Sequence, residues 1–134
     1  MHLRIPAEWE AQEALLVVFP PKKSDWAHSF EAICQTYITL IQTVAQFQPC
    51  MVICEDKHTL ATALPSLQNI ELIEMPTNDT WIRDFGGIGV YKHKKRQTYN
   101  FIFNAWGGKF EASMDNAITQ KLFDEGYLKG KLKH

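Results

Sequence analysis

Three apolar runs, residues 14–19, 50–54 and 70–75, punctuate the first half of the chain, and the stretches between them carry helical spacing. That alternation constrains the fold more than any other feature. Each run is too short for a buried helix and of the length of a buried strand. Between the first two, Phe30, Ile33, Cys34, Tyr37, Ile41, Val44 and Ala45 form one apolar stripe at helical spacing to about Phe47. Ser24 or Ser29 is placed to cap that helix and Pro49 to end it. Between the second and third runs, Asp56 or Thr59 starts a short helix that Pro65 halts. The order strand, helix, strand, helix, strand predicts an α/β unit with helices laid against a sheet.

The pattern then changes. Residues 88–91 and 98–104 are strand-like and joined by a polar turn, which predicts an antiparallel hairpin. In the second segment Tyr99, Phe101 and Phe103 alternate with Asn100, Ile102 and Asn104. The basic run Lys92-His93-Lys94-Lys95-Arg96 lies between them and is expected at a solvated hairpin tip. A last helix is expected over residues 115–125, with Met114, Ala117, Ile118 and Leu122 on one face and Gly126 as its stop. From about residue 127 no pattern remains, and the tail is expected to fray.

A chain of 134 residues is long enough to bury a core of its own, and its length fits one domain. The net charge of −1 gives no global field for nucleic acid or for an anionic membrane, and neither is expected as a partner. No apolar run approaches the roughly 20 residues that span a bilayer. The first residues lack the apolar segment of a secretory signal, so the cytoplasm is the expected compartment.

Three cysteines, an odd number, argue against a disulfide framework. Cys50 and Cys54 sit four apart on one strand, which separates them by about 13 Å and prevents a bridge. Cys34 falls on the helical stripe. All three read as small buried hydrophobes, and none as a nucleophile.

The stretch of greatest chemical interest is Asp79-Thr80-Trp81-Ile82-Arg83-Asp84-Phe85-Gly86-Gly87, after the third apolar run and Pro76. A surface turn has little use for a large aromatic, and a core strand avoids two acids because burying unpaired charge is costly. The combination suits a pocket floor that grips a flat cation, with a carboxylate for charge and an indole for a face. A plainer reading fits nearly as well: Asp79 capping a turn, Arg83 pairing with Asp84, and Trp81 in the core.

Three blocks, taken in order, resemble the agmatine deiminases of the bacterial peptidyl-arginine-deiminase-like family, within the pentein superfamily. The first is Ile5-Pro6-Ala7-Glu8-Trp9-Glu10, followed by Glu13-Ala14 and a strand ending Phe19-Pro20. The second is Asp79 to Gly86, and the third is Phe103-Asn104-Ala105-Trp106-Gly107-Gly108-Lys109. The match covers about residues 5 to 125. Where family members often carry His and Trp, this chain has the segment from Gln12 to Val18, and Phe19 stands where a Trp often precedes the proline.

The resemblance implies a guanidine hydrolase that needs no cofactor or metal and acts on a small cationic guanidine, agmatine or arginine. It implies an α/β fold, a five-bladed propeller with mixed sheet and flanking helices, of which this chain is the first blade and part of the second. The chain is then one partial deiminase domain, residues 1–134, without the later histidine and cysteine of the family. By position in the motif, Asp84 is the acid that grips the guanidinium, and Trp81 packs on the substrate's stem or cationic face. Asp79, Arg83, Gly86 and Asn104 support the loops. Trp106 either lines the substrate channel or packs under a glycine turn. Trp9 and Glu10 are expected to be structural. Trp81 and Asp84 are expected to point into a common concavity, and the alternative to an enzyme is a truncated non-catalytic module that self-associates, or binds a partner, through the blade edge left open.

Overall fold

The computed structural model describes residues 3–134, which divide into two compact units. One is continuous, residues 12–82. The other joins the described residues up to 11 to residues 83–134.

The continuous unit is the predicted α/β alternation. Strands β2 (Leu15–Val18), β3 (Cys50–Cys54) and β4 (Ile70–Glu74) form a parallel sheet in the order β2-β3-β4. Parallel neighbours need a crossover, and the helices α1 (Phe30–Ala45) and α2 (Lys57–Ala63) supply the two required. Helix α1 is rich in β-branched residues, which form helices reluctantly. Thr36, Thr39 and Thr43 turn their hydroxyls back onto the carbonyls four residues earlier. Packing therefore holds α1. Ile41 and Ala45 are buried in a cluster with Val17, Cys50, Val52, Leu60 and Leu64. At its end, Asn69, in the left-handed region at φ 59°, donates its amide to the Ala45 carbonyl at 2.9 Å. Helix α2 begins where expected: the Asp56 carboxylate accepts from the Thr59 amide at 2.9 Å and holds its own pKa below the usual range by doing so.

The second unit is a four-stranded sheet in the order β1-β5-β6-β7, built from β1 (Leu3–Arg4), β5 (Ile88–Lys92), β6 (Lys95–Tyr99) and β7 (Lys131–Lys133). The strands thus form two sheets, one wholly parallel and one mixed, where one mixed sheet was expected. The hairpin is tighter than its pattern suggested. Its turn is His93-Lys94 alone, both at positive φ (49° and 64°), the mirror-image turn whose twist suits two strands. Most of the basic run therefore belongs to strands, and β6 ends at Tyr99 instead of reaching Asn104.

Helix α5 (Ser113–Asp124) buries Ile118, Thr119 and Leu122. Its end is a Schellman motif: the Gly126 amide donates to the Phe123 carbonyl and the Tyr127 amide to the Leu122 carbonyl. The tail expected to fray instead forms β7, pairing parallel to β6 from Gln97 to Tyr99. Gly130 makes this possible. It sits at φ 93°, and a Cβ there would come 2.4 Å from the Arg96 carbonyl oxygen. Three residues of Lys-Leu-Lys are too few to show a period.

Gly87 precedes β5 in an even tighter place. A Cβ there would lie 2.4 Å from the Thr98 methyl and 2.7 Å from that of Thr119. Gly87→Ala is expected to destabilise the chain by about 1–3 kcal/mol through overpacking. Urea denaturation measures it, and an unchanged midpoint would show that the two threonines move aside freely.

The N-terminal block is held by charge. Arg4 forms a two-pronged contact with Glu10, at 2.6 and 2.9 Å, and lies over the Tyr91 ring at 5.0 Å. Glu10 also accepts from the Ala7 amide at 2.8 Å. The Arg4 hydrogen bond, then that amide, hold the Glu10 carboxyl down at about 2. Because the folded value is depressed, its stabilisation is present above the ordinary glutamate value of 4.5 and is lost as pH falls from there through about 2. The protection of the β1–β5 amides, measured as exchange relative to the intrinsic rate at each pH, is expected to fall modestly across that window, because the pair is exposed. In Glu10→Gln it should already be lower at neutral pH and show no such step.

Candidate functional site

The 79–87 stretch leaves β4 and enters the one-turn helix α3 (Ile82–Phe85). The boundary between the two units falls within it, between Ile82 and Arg83.

On the side of the continuous unit, Asp79 Oδ1 accepts from the Thr80 amide at 2.6 Å and from its hydroxyl at 3.3 Å. The Thr80 hydroxyl, itself buried, accepts from the Trp26 indole N–H at 3.2 Å. Trp26 in turn lies beside Trp81, ring centroids 6.4 Å apart and tilted by 43°. Asp79 therefore braces the loop through Thr80. Trp81 is not a core residue: 51% of it is exposed, with one neighbour ring to steady it. The support from Thr80 and Trp26 was not foreseen in the sequence. Its only signal there was an indole in the polar segment ahead of α1.

On the other side, Asp84 is exposed, and Phe85 after it is buried against Phe103 at 6.0 Å. Phe85 thus anchors the short helix that presents Asp84 to solvent. The proposed Arg83–Asp84 pairing is not what the structure records for Arg83. Its guanidinium lies 3.9 Å from Glu8, with both side chains more than nine-tenths exposed, a pair too solvated to hold a loop. Trp9, expected to be structural, is 89% exposed, whereas Glu10 is structural through Arg4. Gly87, next to Gly86, supplies the close backbone approach described above.

The third block has unusual backbone. Ala105, Trp106, Gly107 and Gly108 all have positive φ, between 50° and 91°, so the turn α4 (Ala105–Gly108) is left-handed. Only glycine enters that region without steric cost, and Ala105 and Trp106 are held there by their surroundings. The Asn104 side chain accepts from the Gly107 amide at 3.1 Å, and its carbonyl accepts from the Gly108 amide. Ala105 is buried. Asn116 of α5, which the sequence did not flag, brackets the approach: its side chain accepts from the Phe103 amide at 2.8 Å and donates to the Phe103 carbonyl at 2.9 Å. Trp106 ends 40% exposed, edge-on to Phe103 at 5.0 Å and to Phe110 at 5.8 Å. Two phenyl rings wall it. Lys109 is exposed, and the Glu111 carboxylate turns to Ser113, whose hydrogen bonds lower its pKa.

The cysteines are structural in their surroundings. Cys50 and Cys54 are buried, with sulfurs 3.9 Å and 3.8 Å from the carbonyls of Ile41 and Ile73. Burial raises the thiol pKa of all three cysteines, that of Cys54 to about 11. A nucleophilic cysteine needs the opposite shift.

A mixed α/β chain whose two motif loops offer an exposed carboxylate and exposed indoles defines the class only broadly; comparison with known proteins narrows it. The chain belongs to the Porphyromonas-type peptidyl-arginine deiminase family, whose model matches residues 4–132. An agmatine deiminase of Pseudomonas syringae is 30% identical over 106 residues, which are 78% of this chain and 29% of that protein. Among solved structures, C. jejuni agmatine deiminase with substrate bound, in a cysteine-to-serine variant, superposes with a TM-score of 0.89 at 35% identity. That match covers 99% of this chain and 40% of the other. The agmatine deiminase of Enterococcus faecalis matches with a TM-score of 0.84 at 25% identity, over 98% of this chain and 38% of its own. This chain spans about a third of the length of the curated relatives it matches. Among the described residues no helix is long and apolar enough to cross a membrane.

Proposed function

We propose that this chain is the guanidinium-gripping part of an agmatine deiminase, working in the cytoplasm within a five-bladed propeller domain. The observation that carries the reading is Asp84, an exposed carboxylate anchored by buried Phe85 in the motif that resembles the family's. Relatives that match 78% to 99% of the chain are named agmatine deiminases, and one of them was solved with its substrate.

The reaction converts agmatine to N-carbamoylputrescine and ammonia. A cysteine thiolate attacks the guanidinium carbon, ammonia leaves, and water cleaves the thiouronium with a histidine as acid and base. The carbon can be attacked only while the cation is held flat. Asp84 serves that end, because a carboxylate offers two acceptors to the paired N–H donors of a guanidinium. Trp81 packs on the alkyl stem or cationic face, and Trp106 lines the channel. Asp79, Arg83, Gly86 and Asn104 keep their loops in place. This reading assigns the thiolate to none of the chain's three cysteines, since Cys50 and Cys54 are buried and burial raises all three thiols.

Ammonia release tests the reading. The 134-residue chain by itself is expected to release none above background from agmatine. Joined to the remaining segment of a family-length relative, it should act on agmatine. The family's peptidyl-arginine deiminase description favours a second reading, with arginine or a peptidyl arginine as substrate. Faster release from those than from agmatine would select it, and turnover by the short chain alone would overturn the assignment of roles.

A further inference from the structure

The net charge of −1 hides a strong asymmetry. Residues 88–101 and 129–134 hold seven of the 14 Lys and Arg residues and none of the 15 acids. The two stretches lie far apart in sequence, and β7 brings them together beside β6. The pairing register sorts their side chains. Cross-strand partners share a face, and residues two apart return to it. One face of the sheet therefore carries three rows: Leu3, Lys92 and Lys95; Val90, Gln97 and Lys131; Ile88, Tyr99 and Lys133. Every row ends in lysine, and because Val90 and Gln97 in the middle row are buried, the exposed part of this face is its lysine edge. Lys95, Lys131 and Lys133 are exposed, and Lys94 and Lys129 flank them, also exposed.

Rings accompany the charge. Just beyond the strand, Phe101 is 60% exposed and lies nearly parallel to Tyr99, at 20° with ring centroids 6.2 Å apart. Ile88, in the Tyr99 row, is 45% exposed.

We propose that the exposed lysine edge of this face, with the ring pair beside it, binds single-stranded nucleic acid. Lys92, Lys95, Lys131 and Lys133 track the phosphates, and bases lay their faces on the Tyr99–Phe101 pair. The ring pair decides among polyanions. A nucleobase has a π-face to stack on a phenyl ring, whereas a phosphate chain, a sulfated sugar or an acidic peptide has none. The inference is independent of the deiminase reading, because it uses none of that reading's site residues.

The test is fluorescence anisotropy with a labelled 12-residue oligouridylate and the 134-residue chain. Binding is expected, and it should weaken roughly 50-fold between 50 and 200 mM salt if four phosphates are neutralised. Lys131→Gln with Lys133→Gln should halve the salt slope, leaving a weakening of roughly 7-fold over the same range. Phe101→Leu should weaken binding several-fold at constant salt, and it keeps an apolar residue at an exposed position, so the fold is not at risk. Circular dichroism checks each variant. Absence of binding at low salt overturns the proposal. So does equal binding of heparin or of a duplex with no effect of Phe101→Leu, since that marks a general polyanion surface.

Discussion

Asp84→Asn, made in a family-length deiminase carrying this chain, is expected to leave folding intact and lower kcat/KM for agmatine by on the order of 100-fold or more. Asp84 is exposed, so the isosteric amide disturbs no packing. It removes the charge and replaces one of two acceptors with a donor that faces the guanidinium N–H groups. Such a cation in a closed site then meets a repelling group where it needs an acceptor. Asp84→Glu keeps the charge but moves it, and should fall between the two. Steady-state ammonia release together with a thermal melt checks the pair of effects. Near-normal turnover by the Asn variant would mean that another acid holds the substrate.

The second large effect concerns stability. Ile41→Ala is expected to cost about 2–5 kcal/mol, and Ile41→Val only about 0.5–1.5 kcal/mol. Ile41 is fully buried on α1, among Val17, Val52 and Leu60, where strands and helices of the continuous unit meet. Helix α1 owes little to intrinsic propensity, so a cavity beneath its centre removes the packing that holds it. Since a domain keeps only about 5–15 kcal/mol in all, the Ala variant should be unfolded well below the denaturant midpoint of the parent. Guanidinium titration followed by circular dichroism measures both. A loss under about 1 kcal/mol for Ile41→Ala would place the stabilising contacts of α1 elsewhere.

Much of the continuous unit was legible because its signals are local. Apolar runs marked β2, β3 and β4, and Asp56 marked the start of α2 within a residue or two. The other unit was read less well, for physical reasons. Strand β1 has two residues and β7 three, and neither is long enough to display alternation. The hairpin turn uses His93 and Lys94 in a conformation normally announced by Asn or Gly, so the strands on either side looked shorter or displaced. The aromatic alternation through Phe103 imitated a strand, but there the Asn116 side chain, not a neighbouring strand, satisfies the backbone. At the site, the motif named Asp84, Trp81 and Trp106, while Thr80 inside the motif drew no notice, and Trp26 and Asn116 came from elsewhere in the chain and carried no pattern.

The interrupted second unit has a consequence for how the chain acquires its structure. The continuous unit is made of residues 12–82 and can close as soon as they are available, with each strand pairing to the next in order. The other cannot: Leu3 pairs with Lys92, so β1 waits for most of the chain to be synthesised, and β6 then waits for β7. Long-range pairings of this kind form slowly because loop closure comes before their reward. On a ribosome, which exposes the N-terminus first, Leu3 and Arg4 must stay unpaired while the parallel sheet forms, and of this unit's described strands the lysine-bearing β7 is secured last.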